Sequence, residues 1–237
     1  MAIATRTFAA TIFDPVGAPI AESPNRLLAA LRGVAQQCFF TVVVRPFVHA
    51  VLGLRILGRE NLPPTDPFIL VSNHASHLDA VVLLSLFHGR RLRRIHPAAA
   101  ADYFRRSRLL FWLTSTFFNI LPIERKHITR SNDPCRVMQA ALEAGESLIV
   151  FPEGTRGSGN ELQAFHAGIA HLARREPGVP VIPAHLTNTG RSLPKGTWVP
   201  LPLLCEVRIG GRLHLQGSPG EASRDLAAAV RALETVS

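Results

Sequence analysis

His74 and Asp79 stand five positions apart in Asn73-His74-Ala75-Ser76-His77-Leu78-Asp79. An imidazole is the side chain best suited to take a proton near neutral pH. A carboxylate on its second nitrogen would fix the tautomer and stabilise the imidazolium that forms. The two can meet only if they do not share a helix, where positions five apart are offset by roughly 140°. His74 is therefore expected to precede a helix, with Ser76 as N-cap and Asp79 opening the apolar run Ala80-Val81-Val82-Leu83-Leu84, which ends near Gly89. A turn at Ala75-Ser76 then folds His74 back toward Asp79, beside the positive end of that helix. Two other readings compete: Ser76 and Asp79 as a plain capping box, and His74, His77 and Asp79 as metal ligands. The spacing argues against a metal, because no H-E-x-x-H pattern is present.

A second group follows in Phe151-Pro152-Glu153-Gly154-Thr155-Arg156. The preceding Ser147-Leu148-Ile149-Val150-Phe151 is rich in strand formers and Pro152 stops it, so the motif sits at a strand end. Gly154 permits conformations closed to other residues and a close approach by a ligand. Thr155 brings a hydroxyl, and Arg156 a five-donor fork suited to phosphate or carboxylate. The composition is that of an anion cradle, against the plainer alternative of a Glu153–Arg156 surface ion pair in a tight turn. Base and cradle together fit acyl transfer onto an anionic acceptor.

The chain resembles the glycerophospholipid acyltransferase family, whose best-known members are the lysophosphatidic acid acyltransferases. The family's N-H-x-x-x-x-D block is matched by Asn73, His74 and Asp79. An apolar block ending in arginine is matched loosely by Asn119-Ile120-Leu121-Pro122-Ile123-Glu124-Arg125, and the third block by residues 151–156. The fourth, an apolar strand with an internal proline, is matched by Val179-Pro180-Val181-Ile182-Pro183-Ala184. The resemblance implies that His74 is the general base and that Asp79 orients it. It also implies that Arg125, Glu153, Gly154, Thr155 and Arg156 bind the glycerol phosphate of the acceptor. Two departures stand out: the second block lacks its usual leading glycine, and His166 stands where many members carry lysine.

No enzyme nucleophile is needed. Cys38, Cys135 and Cys205 lie outside both motifs, and there is no G-x-S-x-G elbow. Backbone N–H groups at the helix start after His74 are the expected oxyanion donors. No cofactor or metal is expected; acyl-CoA or acyl carrier protein would be the co-substrate.

Basic residues exceed acidic ones, 26 against 17, for a net charge of +9. Ten of the basic residues (Arg90, Arg91, Arg93, Arg94, Arg105, Arg106, Arg108, Arg125, Lys126 and Arg130) fall between positions 90 and 130, where only Asp102 and Glu124 oppose them. Such a surface suits anionic lipid, at about 1 kcal/mol per basic residue near the bilayer. Nucleic acid is not an expected partner, given a mean hydropathy of +0.17 and long apolar stretches. Residues 26 to 44 read as an amphipathic helix that Pro46 breaks, followed by a second apolar segment from Phe47 to Leu57. Arg45, His49 and Arg55 interrupt these segments, so no clean span of about eighteen apolar residues is expected. The reading is an in-plane anchor, with packing on the domain's own core as the alternative. Residues 1–24 lack the pattern of a signal peptide, and three unpatterned cysteines favour a reducing compartment. The enzyme should face the cytosol, as a peripheral or monotopic protein.

These pieces assemble into an α/β domain, a mainly parallel or mixed sheet flanked by helices. Strands are expected near 68–72, 93–99, 147–151, 180–186 and 203–209, and helices near 78–87, 109–118, 134–144, 168–175 and 221–235. The expected division is a loose lead-in over 1–24, an amphipathic membrane-associating segment over 25–57, and a catalytic domain over 58–237. The expected reaction moves an acyl group from acyl-CoA or acyl carrier protein to 1-acylglycerol-3-phosphate, making phosphatidic acid. The alternatives are an acyltransferase for another lysolipid or an amino-lipid, or an inactive membrane lipid-binding scaffold.

Overall fold

The computed structural model describes residues 26–104, 108–125, 128–129, 132–155, 162–194, 196–197 and 199–234. In order, the elements are α1 (Arg26–Phe39), β1 (Arg55–Leu57), β2 (Ile69–Ser72), α2 (Leu78–Ser85), α3 (Gly89–Arg93), β3 (Ile95–Ala100), α4 (Ala101–Phe104) and α5 (Arg108–Phe117). There follow β4 (Leu121–Ile123), α6 (Pro134–Glu143), β5 (Ser147–Val150), α7 (Gly168–Arg175), β6 (Val181–Thr187), α8 (Thr189–Ser192), β7 (Glu206–Ile209) and α9 (Pro219–Ala232).

The strands form one mixed sheet in the order β1-β7-β6-β2-β5-β3-β4. Among these seven strands β6 and β7 pair antiparallel and the other neighbours pair parallel. The central strands β2 and β5 are buried along their whole length, as expected of parallel strands covered on both faces. Side-chain alternation divides their residues between two cores. Leu70, Ile149 and Ile182 face one core with Phe40, Val44, Val48, Leu52 and the apolar residues of α2. Ile69, Val71, Leu148, Val150 and Val181 face the other, with side chains of α6, α7 and α9.

All five predicted strands and all five predicted helices of the α/β domain are present, with shifted ends. The last strand begins at Glu206 rather than near 203. The strands β1 and β4 were not expected; each is three residues long, too short for a period-two pattern to register.

Pro46 does not break the N-terminal helix. The chain passes from α1 through π-helical turns at Phe40–Val44 and Phe47–Val51, and Pro46 keeps helical angles of −56° and −42°. The wider turn relieves the clash that proline makes with the carbonyl four residues before it. Arg45 N–H donates to the Phe40 carbonyl, and Leu52 N–H to that of Phe47. One continuous helix therefore covers Ala29–Val51, 23 residues that include an 18-residue stretch of mean hydropathy 1.3, long and apolar enough by length and composition to cross a membrane. That corrects the expectation that Pro46 ends the helix; Arg32, Arg45 and His49 still interrupt its apolar run. One side of it, Phe40, Val44, Val48 and Leu52, is in the core, while Leu31, Val34, Val42 and Val43 are exposed.

Candidate active site

Parallel strands bring their carboxyl ends to a single edge of a sheet. At this edge the chain leaves β2 into residues 73–77 and leaves β5 into Phe151-Pro152-Glu153. The register pairs Val71 with Val150, so the two loops emerge as neighbours although 79 positions separate their residues.

Asn73 fixes the first loop to β6. Its amide nitrogen donates to the Leu186 carbonyl at 2.9 Å and its oxygen accepts from the Leu186 N–H at 2.8 Å. The chain then turns, and His74 Nδ1 lies 2.9 Å from Asp79 Oδ2. The same oxygen accepts from the N–H groups of Ala75 at 2.7 Å and Ser76 at 2.8 Å. Asp79 is fully buried, while the His74 side chain keeps about a fifth of its surface open. A fixed carboxylate on Nδ1 leaves Nε2 as the nitrogen able to take a proton from outside.

Ser76 caps the helix from its expected position: His77 already has helical angles before Leu78, and the Ser76 hydroxyl serves the second N–H of the turn. The Ser76 hydroxyl accepts from Leu78 N–H and donates to the Leu193 carbonyl at 3.0 Å, tying the loop to the chain beyond α8. Only the carboxylate half of a capping box forms, through Asp79. The N–H groups of His74, Ala75, Ser76, Leu78 and Asp79 each already have an acceptor in the protein.

Two residues of the second loop complete the arrangement. The Phe151 ring stacks on His74, with centroids 4.3 Å apart and planes 23° from parallel. Glu153 is buried, and its Oε1 accepts from His74 N–H at 2.7 Å and its Oε2 from Gln163 N–H at 3.2 Å. Both oxygens are committed to the protein's own backbone. Burial pushes the Glu153 carboxyl above the usual carboxylate range, partly offset by those two N–H donors. Neither contact was expected from sequence, although both residues belong to the motif singled out there.

Gly154 has φ +72°, a conformation that favours glycine, and a Cβ there would lie 2.8 Å from His166 Nε2. Thr155 is exposed, with its hydroxyl 3.4 Å from Gln163 Oε1. Arg156 lies outside the described residues. Arg125 is exposed just beyond β4, at the same sheet edge but three strand spacings from β2, roughly 14 Å. The structure thus brings His74, Asp79, Phe151 and Glu153 into contact and places Gly154, Thr155 and Arg125 along the same edge. Among the described residues no group of three or more His, Cys, Asp or Glu side chains could hold a metal ion.

A histidine paired with a buried carboxylate thus lies at the carboxyl edge of an α/β sheet, where ligand sites of such sheets gather. A protein-family model described as Acyltransferase matches residues 53–187, and the chain belongs to that family. It is 33% identical over 151 residues to a chloroplastic 1-acyl-sn-glycerol-3-phosphate acyltransferase of Arabidopsis thaliana, covering 63% of this chain and 40% of that one. With 1-acyl-sn-glycerol-3-phosphate acyltransferase alpha of Homo sapiens it shares 32% over 151 residues, 60% of this chain and 48% of that protein. The match therefore spans less than half the length of these relatives. The crystal structure of the 1-acyl-sn-glycerophosphate acyltransferase PlsC from Thermotoga maritima superposes with a TM-score of 0.69 at 23% identity, over 89% of this chain and 83% of that one. At that identity the likeness establishes the fold.

Proposed function

We propose that the protein transfers a fatty acyl group from an acyl thioester, acyl-CoA or acyl carrier protein, to the free hydroxyl of 1-acylglycerol-3-phosphate, forming phosphatidic acid for phospholipid synthesis. The observation that carries this reading is the 2.9 Å contact between His74 Nδ1 and the buried Asp79 carboxylate. Family membership and the names of the relatives support the reaction and the acceptor.

In this reading His74 Nε2 takes the proton of the acceptor hydroxyl as that oxygen bonds to the thioester carbonyl carbon. The tetrahedral intermediate collapses, the carbon–sulfur bond breaks, and the leaving thiolate recovers the proton from the imidazolium. Asp79 stabilises the imidazolium between these steps, and Phe151 holds the ring plane. Arg125 and Arg156 hold the acceptor phosphate, with Gly154 and Thr155 shaping the cradle. Glu153 acts as a positioning residue: it fixes the His74 backbone and ties it to the chain returning at Gln163.

The protein works at the cytoplasmic face of an anionic membrane, with the exposed side of the N-terminal helix against lipid. The test is acceptor profiling by mass spectrometry, in which the purified protein is offered acyl-CoA and acyl carrier protein with a panel of lysolipids. Phosphatidic acid as the main product supports the proposal. Preferential acylation of a different lysolipid, or no product with any acceptor, contradicts it.

A further inference from the structure

We infer that Arg45, Arg59 and His88 form a second anion site, at the carboxyl end of α2, which takes the phosphate of an anionic lipid headgroup. Arg45 Nη2 donates to the Phe87 carbonyl at 2.6 Å and Arg59 Nη2 to the Leu86 carbonyl at 2.7 Å. Two guanidinium groups therefore meet on adjacent carbonyls, with His88 next in the chain. A helix end carries about half a negative charge, so a single arginine would more than balance it; the second leaves an excess of about 1.5 charges before His88 is counted. No carboxylate answers this excess, because among the described residues neither Arg45 nor Arg59 has an ion-pair partner. Arg91 nearby shows the contrast, with its Nη2 3.6 Å from Asp66 Oδ1.

Arg45 Nε is buried and makes no hydrogen bond, so Arg59 and His88, both exposed, are the groups of the cluster open to a ligand. Burial and the charge of Arg59 hold the Arg45 guanidinium below its ordinary pKa, and burial with both arginines lowers that of His88. An arriving phosphate would relieve each of these stresses. The lipid as its source follows from position: Val42 and Val43, 72% and 51% exposed, lie within one helical turn of Arg45. Apolar side chains that could enter a bilayer thus border the cations that would meet its headgroups. The eight residues of α2, about 12 Å long, separate this cluster from His74, so the lipid held here is distinct from the acceptor.

The test is binding of the full chain to phosphatidylcholine vesicles with and without phosphatidylglycerol, which does not depend on turnover. The pair Arg59→Gln/His88→Gln is compared with the charge-matched pair Arg90→Gln/His49→Gln, whose members are exposed near the same helix. Diffuse attraction falls about fivefold for each charge lost close to the bilayer, whichever residue carries it. A formed site predicts a loss of about fiftyfold or more for the first pair, about fivefold for the second, and no change for either on pure phosphatidylcholine. If the first pair folds poorly, His88→Glu at its exposed position serves instead, with the same fiftyfold loss expected. Equal losses for site and control variants overturn the inference. Displacement from vesicles by inorganic phosphate at constant ionic strength also overturns it, by assigning the cluster to a soluble anion; no displacement beyond that by chloride is expected.

Discussion

Asp79→Asn isolates the charge of the orienting group from its shape. Asp79 Oδ2 accepts three N–H groups, from His74, Ala75 and Ser76, whereas Oδ1 is buried with no hydrogen-bond partner. An asparagine has one oxygen to place. Setting its NH₂ toward the loop would face two backbone donors with another donor, so the amide oxygen must occupy the Oδ2 position. His74 then keeps its Nδ1–H tautomer and its place on Phe151, and loses only the charge that stabilises the imidazolium. The fall in kcat should be about 10²–10³, or about 2.7–4 kcal/mol, short of the ~10⁴ that follows when an amide imposes the wrong tautomer. Weakening three charge-assisted bonds and burying an unpartnered NH₂ should cost about 1–3 kcal/mol of stability, after relief from burying a charge. Thiol release from acyl-CoA at saturating acceptor gives the rate, and thermal melting gives the stability. A folded variant within threefold of the parent rate, or a loss appearing in KM, would refute this reasoning, since Asp79 is too buried to touch the acceptor.

Glu153→Gln leaves an amide NH₂ facing a backbone N–H, so stability and turnover both fall, by about 1–3 kcal/mol for the former. Because burial raises the Glu153 pKa in the folded state, the folded protein binds that proton more tightly than the unfolded chain. Its contribution is full below the unfolded value and is lost as pH rises through the folded one. The stability of the parent over Glu153→Gln, from urea unfolding, should therefore narrow between pH 4 and 8; a widening gap contradicts the burial account. Arg125→Ala and Arg156→Ala should each raise acceptor KM by about tenfold or more, with less effect on slow thioester hydrolysis. Unchanged acceptor KM in both would remove the cradle. Leu31→Lys/Val42→Lys, on the exposed side of the N-terminal helix, should reduce liposome flotation while the melting temperature moves by only a few degrees. Equal flotation would remove that side from the membrane contact. Deleting residues 1–57 is not an equivalent test, because it removes Phe40, Val44, Val48 and Leu52 from the core.

The His74–Asp79 contact is legible in the sequence because it is local. Five positions cannot face each other along one helix, so the chain must turn between them, and it does. The clasp from Glu153 and the stack from Phe151 are not legible that way. They join positions 79 and 77 residues away from His74, and they depend on β2 lying beside β5 while β3 and β4 intervene in sequence. Once Val71 is paired with Val150, residue 74 falls opposite 153 in the same parallel register. The helix through Pro46 failed for a different reason. Proline is read as a break under α-helical hydrogen bonding, whereas the π turns around it use the carbonyl five residues back.

The central claim is that the imidazole of His74 takes the proton of the attacking hydroxyl. The most direct measurement is turnover of His74→Ala with acyl-CoA and 1-acylglycerol-3-phosphate, alongside a melting curve showing that the variant is folded. The account predicts a loss in kcat of at least about 10²-fold, with acceptor KM little changed. A folded His74→Ala protein that makes phosphatidic acid at close to the parent rate would contradict it.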